Sequence, residues 1–142
     1  MAKKPAIDYT AGILDAYEDE VAGAAYFRGL VAFFPEKRDF LLRCCVLEEQ
    51  TAARLVPLVR KYRLKHQAAP FLSRRGESDA RAAGHKAWQT LVRESVDGYP
   101  LYVAQFRQLE SLAPAEDRDI VASLTGHEVQ LIEWLQAELG HG

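Results

Sequence analysis

The stretch "YFRGLVAFFPEKRD" at 26–39 recurs as "QFRQLESLAPAEDRD" at 105–119, and an internal repeat constrains the fold of a chain more than any local motif does. Phe27, Arg28, Leu30 and Pro35 align with Phe106, Arg107, Leu109 and Pro114 at a constant offset of 79. One inserted residue after the proline moves the offset to 80, and Asp39 then aligns with Asp119 and Glu48 with Glu128. Each copy has a helical pattern before its proline and another after it. Two similar helical hairpins are the natural reading.

The periodicity is helical almost throughout. One face from about Tyr9 to Phe34 reads Ile13, Tyr17, Glu20, Ala24, Phe27, Val31, Phe34, in alternating steps of four and three. Pro35 ends that helix and suits the first turn of the next. The second face reads Leu41, Cys45, Glu48, Ala52, Leu55, Val59, Tyr62, with Pro57 inside the helix as an expected kink. The stretch "RLKHQAAPFLSRRGES" is rich in positive charge and turn residues and reads as a connection, with Ser78 as the N-cap of a third helix. That helix carries Val92, Val96, Tyr99, Val103 and Phe106 on one face, with a bend expected at "DGYP". Pro114 opens a fourth, with Val121, Leu124, Glu128, Leu131 and Leu135 on one face. No stretch reads as a strand.

The expected organisation is one helical-bundle domain over 1–142: hairpin one at about 9–62, a crossover at about 63–78, and hairpin two at about 79–139. A helix of about 25 residues is roughly 37 Å long, and about 15 extended residues span roughly 50 Å, so the connection can run the length of a bundle. The length suffices to bury a core.

With 49% hydrophobic residues, 27% charged residues and a net charge of −2, the composition is that of an ordinary globular domain. The apolar runs are too short for a bilayer, and the lysines of "MAKKPAIDYT" precede no apolar segment, so neither a membrane nor a signal peptide is expected. Adjacent Cys44 and Cys45 cannot frame a disulfide scaffold; they read as core filler suited to a reducing cytoplasm. Seven basic and no acidic residues lie between Gln50 and Gly76. Basic residues complement a helix C-terminus, and without a recognition motif they do not make a nucleic-acid module. A homo-oligomer, such as a dimer, or a protein partner is expected.

The paired hairpins, the long crossover and the inward glutamates of "YEDEVAGAAYF", "CVLEEQTAARL" and "TGHEVQLIEWL" resemble the ferritin-like superfamily and, more loosely, its small rubrerythrin-like bacterial members. The resemblance implies an all-α, ferritin-like four-helix bundle with one long crossover. In that superfamily helices one and three each give a glutamate, helices two and four each give Glu-x-x-His, and the six side chains hold two iron or manganese ions.

This chain departs from that pattern. Glu20, Glu48 and Glu128 match three of the carboxylates, but Tyr99 stands at the third-helix position, and Thr51 and Leu131 stand where the histidines belong. His127 precedes Glu128 instead, and a shift of one residue in phase exchanges Glu48 for Glu49 and His127 for Glu128. Three buried carboxylates repel one another and lose hydration. A single metal on Glu20, Glu48, Glu128 and His127 with Tyr99 or Tyr17 nearby would resolve this. So would hydrogen bonds from Tyr17, Tyr26, Tyr99 and His127, or a rotated stripe pairing with Arg28, Arg43 or Arg107. The expected function is that of a binding or interaction protein that has lost the dimetal site and needs no cofactor. The alternatives are an iron or manganese redox protein, or a bundle that holds a small ligand near Tyr17, Tyr99 and Tyr102.

Overall fold

The computed structural model describes residues 8–140; the lysine-bearing start read for a signal peptide lies outside them. Those residues form five helices: α1 (Tyr9–Leu30), α2 (Arg38–Lys61), α3 (Ala69–Ala83), α4 (Trp88–Leu112) and α5 (Arg118–Leu139). Single 3-10 turns at Pro35–Lys37 and Ala115–Asp117 precede α2 and α5. The described residues contain no strand, and none of their helices is long and apolar enough to cross a membrane.

The repeat is visible in these boundaries. In both copies a proline follows the first helix at the start of a 3-10 turn that reverses the chain, and an Arg-Asp pair opens the next helix, at Arg38 and at Arg118; α1 itself ends at Leu30, ahead of Pro35. α1 packs along α2, α4 along α5, and the two pairs meet chiefly through α2 and α5. Pro57 and Pro100 both lie inside unbroken helices, each on an exposed face, where the carbonyl one turn earlier that loses its N–H donor is nearest to water.

The crossover differs from expectation. Only 62–68 connect α2 to the next element, and 69–83 fold into α3, so Ser78 is an interior residue of α3 and not an N-cap. Arg63 takes the left-handed conformation (φ 50°) just past α2, and the Leu64 N–H bonds the Val59 carbonyl at 2.9 Å, closing the helix end. α3 then lies against α1 at very close range. A Cβ on Gly76 would sit 2.0 Å from the Ala22 carbonyl oxygen, and one on Gly29 would sit 3.0 Å from the Ala80 Cβ. The contact is built from small residues because backbones approach too closely for large ones.

The core divides in two. One apolar cluster gathers Phe27, Leu30, Phe34, Leu41, Cys44, Val92, Leu131 and Leu135, with Trp88 and Trp134 packed on it. The other gathers Ile13, Ala16, Leu55, Leu58, Phe106, Leu109, Val121 and Leu124. Along α1, α2 and α5 the buried acidic residues between these clusters are Glu20, Glu48 and Glu128, with Thr51 and Thr125 beside them.

Below the second cluster, Asp117 ties three elements together. It is 1% exposed, accepts from the Tyr9 hydroxyl at 2.9 Å and from the Tyr62 hydroxyl, and pairs with Lys61 at 2.6 Å. Burial pushes its carboxyl up, but the bonds from Lys61, Tyr62 and Tyr9 outweigh this and hold it below its ordinary value.

Candidate functional site

Helical phase decides the site. With Ile13, Phe27 and Leu30 facing the core on α1, Glu20 must face it too, and the same reasoning fixes Glu48 through Leu41 and Leu55, and Glu128 through Leu124 and Leu131. The glutamates are 5%, 8% and 7% exposed respectively, so each is more than nine-tenths buried. Glu49 lies on the outside and pairs with Arg28 at 3.2 Å. Arg43 lies over the Trp134 ring at 4.6 Å, away from the stripe, so neither arginine answers the buried carboxylates.

No hydrogen bond or ion pair joins Glu20, Glu48 or Glu128 to another described residue, yet no buried side-chain oxygen is sealed off without a partner. The two facts agree because the carboxylates face open space. A cavity of about 560 Å³ lies between the helix pairs, and all three glutamates line it. Gly23 makes room for one of them: a Cβ there would stand 3.3 Å from the Glu48 carboxyl carbon and oxygen. On the far side α4 stands off from α1, and Gly98 has nothing within 4 Å of where its Cβ would be. The stripe of α4 is accordingly only half-buried at Val96, Tyr99 and Val103, level with buried Glu20, Glu48 and Glu128 on the other helices.

The electrostatics are one-sided. Six carboxylates line the cavity, Asp19, Glu20, Glu48, Asp79, Glu94 and Glu128, against one cation, Arg75. Arg75 is committed to Asp19 at 2.8 Å, and Glu94 bonds Lys86 at 2.5 Å. Desolvation raises Glu48 well above the ordinary carboxylate range, helped by the charges of Glu128 and Asp19. Desolvation, with Asp19, raises Glu128 to about 7. Desolvation also raises Tyr99, with the charges of Glu48 and then Glu128 adding, so its phenol keeps its proton and remains a donor toward the cavity.

The residues expected to form a metal or pocket site are only partly brought together. Glu20, Glu48, Glu128, Tyr99 and Tyr102 share the cavity. His127 is not among its lining; its Nδ1 lies 2.7 Å from the Thr51 hydroxyl oxygen. That hydroxyl donates to the Leu47 carbonyl at 2.8 Å, so it accepts from Nδ1–H of a neutral His127. Burial, then Arg54, lowers the histidine below its ordinary value. Tyr17 instead packs against His66, ring centroids 5.0 Å apart.

A paired iron or manganese centre does not fit these residues. Thr51 is spent in helix and histidine bonds, Leu131 is 1% exposed within the apolar core, and no three His, Cys, Asp or Glu among the described residues are spaced to hold an ion. Asp19 and Asp79 are not candidates in the sequence, Glu94 is out of register there with the third-helix ligand position, and Arg75 reads only as part of a basic stretch; the fold brings Asp19, Asp79 and Arg75 together across the α1–α3 face. The usable signal for α3 was the spacing Leu72, Gly76, Ala80, Ala83, a helical stripe of small residues behind Pro70.

No protein-family model, curated protein or solved structure matches this chain.

Proposed function

We propose that this chain is a ligand-binding protein built on a ferritin-like bundle of two similar hairpins, and that it holds a small molecule in the waist between them. The bundle would keep α1, α2, α4 and α5 as its four helices, with α3 as a strap on α1. The supporting observation is the cavity of about 560 Å³ lined by Glu20, Glu48 and Glu128, residues each more than nine-tenths buried, whose carboxylates have no partner among the described residues. Such a volume lies within the range of small-molecule sites. Leaving a buried charge uncompensated is costly, and a cavity with no occupant would gain nothing from it.

Chemical-shift mapping with a fragment set of mixed charge tests the proposal. Shifts clustering at Gly23, Tyr99, Gly98 and Tyr102 are expected for at least one chemical class. Fragments that cluster elsewhere, or that shift nothing, would contradict it.

A further inference from the structure

Resting on that reading, we propose that the waist binds a linear organic polyamine, with ammonium groups on Glu20, Glu48 and Glu128 and methylene segments against the Tyr99, Tyr102 and Phe106 rings. Three features select this chemistry. The lining is anionic beyond its own means of neutralisation, since the one guanidinium there is already paired with Asp19. An ammonium offers three donors and suits carboxylates that have none, and the aromatic faces beside them attract cations as well.

Shape selects among cations. The cavity is far larger than a bare ion needs, and its donors are not spaced for one. It also continues into a groove of about 350 Å³ between α1 and α4, sharing Asp19, Tyr102 and Phe106 with it. Among the described residues that groove adds Asp8 and Asp15 and no basic residue. From Asp8 through Asp15 to Asp19 the carboxylates run about 16 Å along α1 at 1.5 Å per residue. A row of carboxylates matches charges separated by methylenes, where a compact cation would match only one member of it.

Binding should be linked to protons. Glu48 and Glu128 are faced by Asp19, Glu20 and Tyr26 from α1, Arg75 and Asp79 from α3, and Glu94, Tyr99 and Tyr102 from α4, with Arg75 the only cation among the described residues of the lining. An incoming ammonium favours the ionised carboxylates, so protons leave as it enters, and affinity rises as pH climbs through about 7.

Calorimetric titration of the whole protein with spermidine is the test, with butylamine and manganese(II) chloride as comparators. Spermidine is expected to bind one-to-one, with release of protons. Glu128→Gln and Glu20→Gln should each weaken it by about tenfold or more, as should replacing spermidine with butylamine. Thermal melting of each variant establishes that it is folded. Unchanged affinity in both variants, or affinity independent of pH, would overturn the assignment, as would manganese displacing spermidine. If spermidine fails while neutral or anionic fragments still map to the waist, the polyamine is wrong and the ligand-binding reading stands. If no molecule of any charge reaches the waist, both fall.

Discussion

Glu128 and Asp117 are both buried carboxylates on the second half of the repeat, and their environments drive them in opposite directions. Burial strips water from Glu128 and the charge of Asp19 adds to this, so folding raises its pKa from 4.5 to about 7. The stability this contributes is complete below the unfolded value and is lost as pH rises to the folded one. For Glu128 alone the loss is about 3 kcal/mol. Replacing Glu128 with glutamine should therefore raise stability at pH values above about 7, and flatten the decline between about pH 4.5 and 7 in urea-unfolding curves. A destabilised variant at high pH would mean that the carboxylate has a partner after all.

Asp117 is held below its ordinary value by Lys61, Tyr62 and Tyr9, so its contribution is present above the unfolded value and is lost as pH falls through the folded one. Asp117→Ala should lower stability at neutral pH, because it takes the acceptor from the Tyr9 and Tyr62 hydroxyls, while the exposed Lys61 ammonium keeps its water. Denaturant melts giving less than about 1 kcal/mol would show the cluster to be solvent-screened. The glutamates are legible in the sequence as candidates but their phase is open by one residue; Glu20, Glu48 and Glu128 are the ones buried in the fold, and Glu49 is outside. Their lack of partners is not legible, since that depends on where tyrosines and arginines from other helices end up. Tyr17 goes to His66 and Arg28 to Glu49.

At the scale of elements, the repeat carried most of the architecture into view. Pro35 and Pro114 mark two reversals, and the starts of α2 and α5 follow from them. α3 stayed hidden because it docks through Gly76, Ala80 and Ala83, and small residues give little hydrophobic signal. α3 also carries Arg74 and Arg75, basic residues that read as part of a charged connection, and Arg75 pairs with Asp19 across the α1–α3 contact.

Two glycines on different helices separate packing from propensity. Gly76→Val must push α3 off the Ala22 carbonyl and is expected to destabilise by about 2 kcal/mol or more, with faster amide exchange across 69–83. Gly98→Ala meets nothing and should stabilise α4 by about 0.5–1 kcal/mol through helix propensity. Equal exchange protection of α3 in wild type and Gly76→Val would contradict the close contact described above.

The whole molecule is two apolar cores with an acidic layer between them. That layer falls at corresponding places on α1, α2 and α5, while α4 stands away and leaves the space that makes it a cavity. The sequence displayed the acidic layer but not the space, because the separation of α1 from α4 is set by packing at both ends: Leu109 against Gly12 at one, and Trp88 against Phe34 and Phe40 at the other. A compact bundle with the same stripes would have forced the glutamates to pair or turn outward. Side-chain carboxyl titration by NMR on glutamate-labelled protein tests this arrangement most directly. Glu128 is expected to titrate near about 7, with Glu48 also well above the ordinary glutamate value. If both titrate near the ordinary value of about 4.3, the carboxylates reach water or a basic partner, and the acidic waist does not exist.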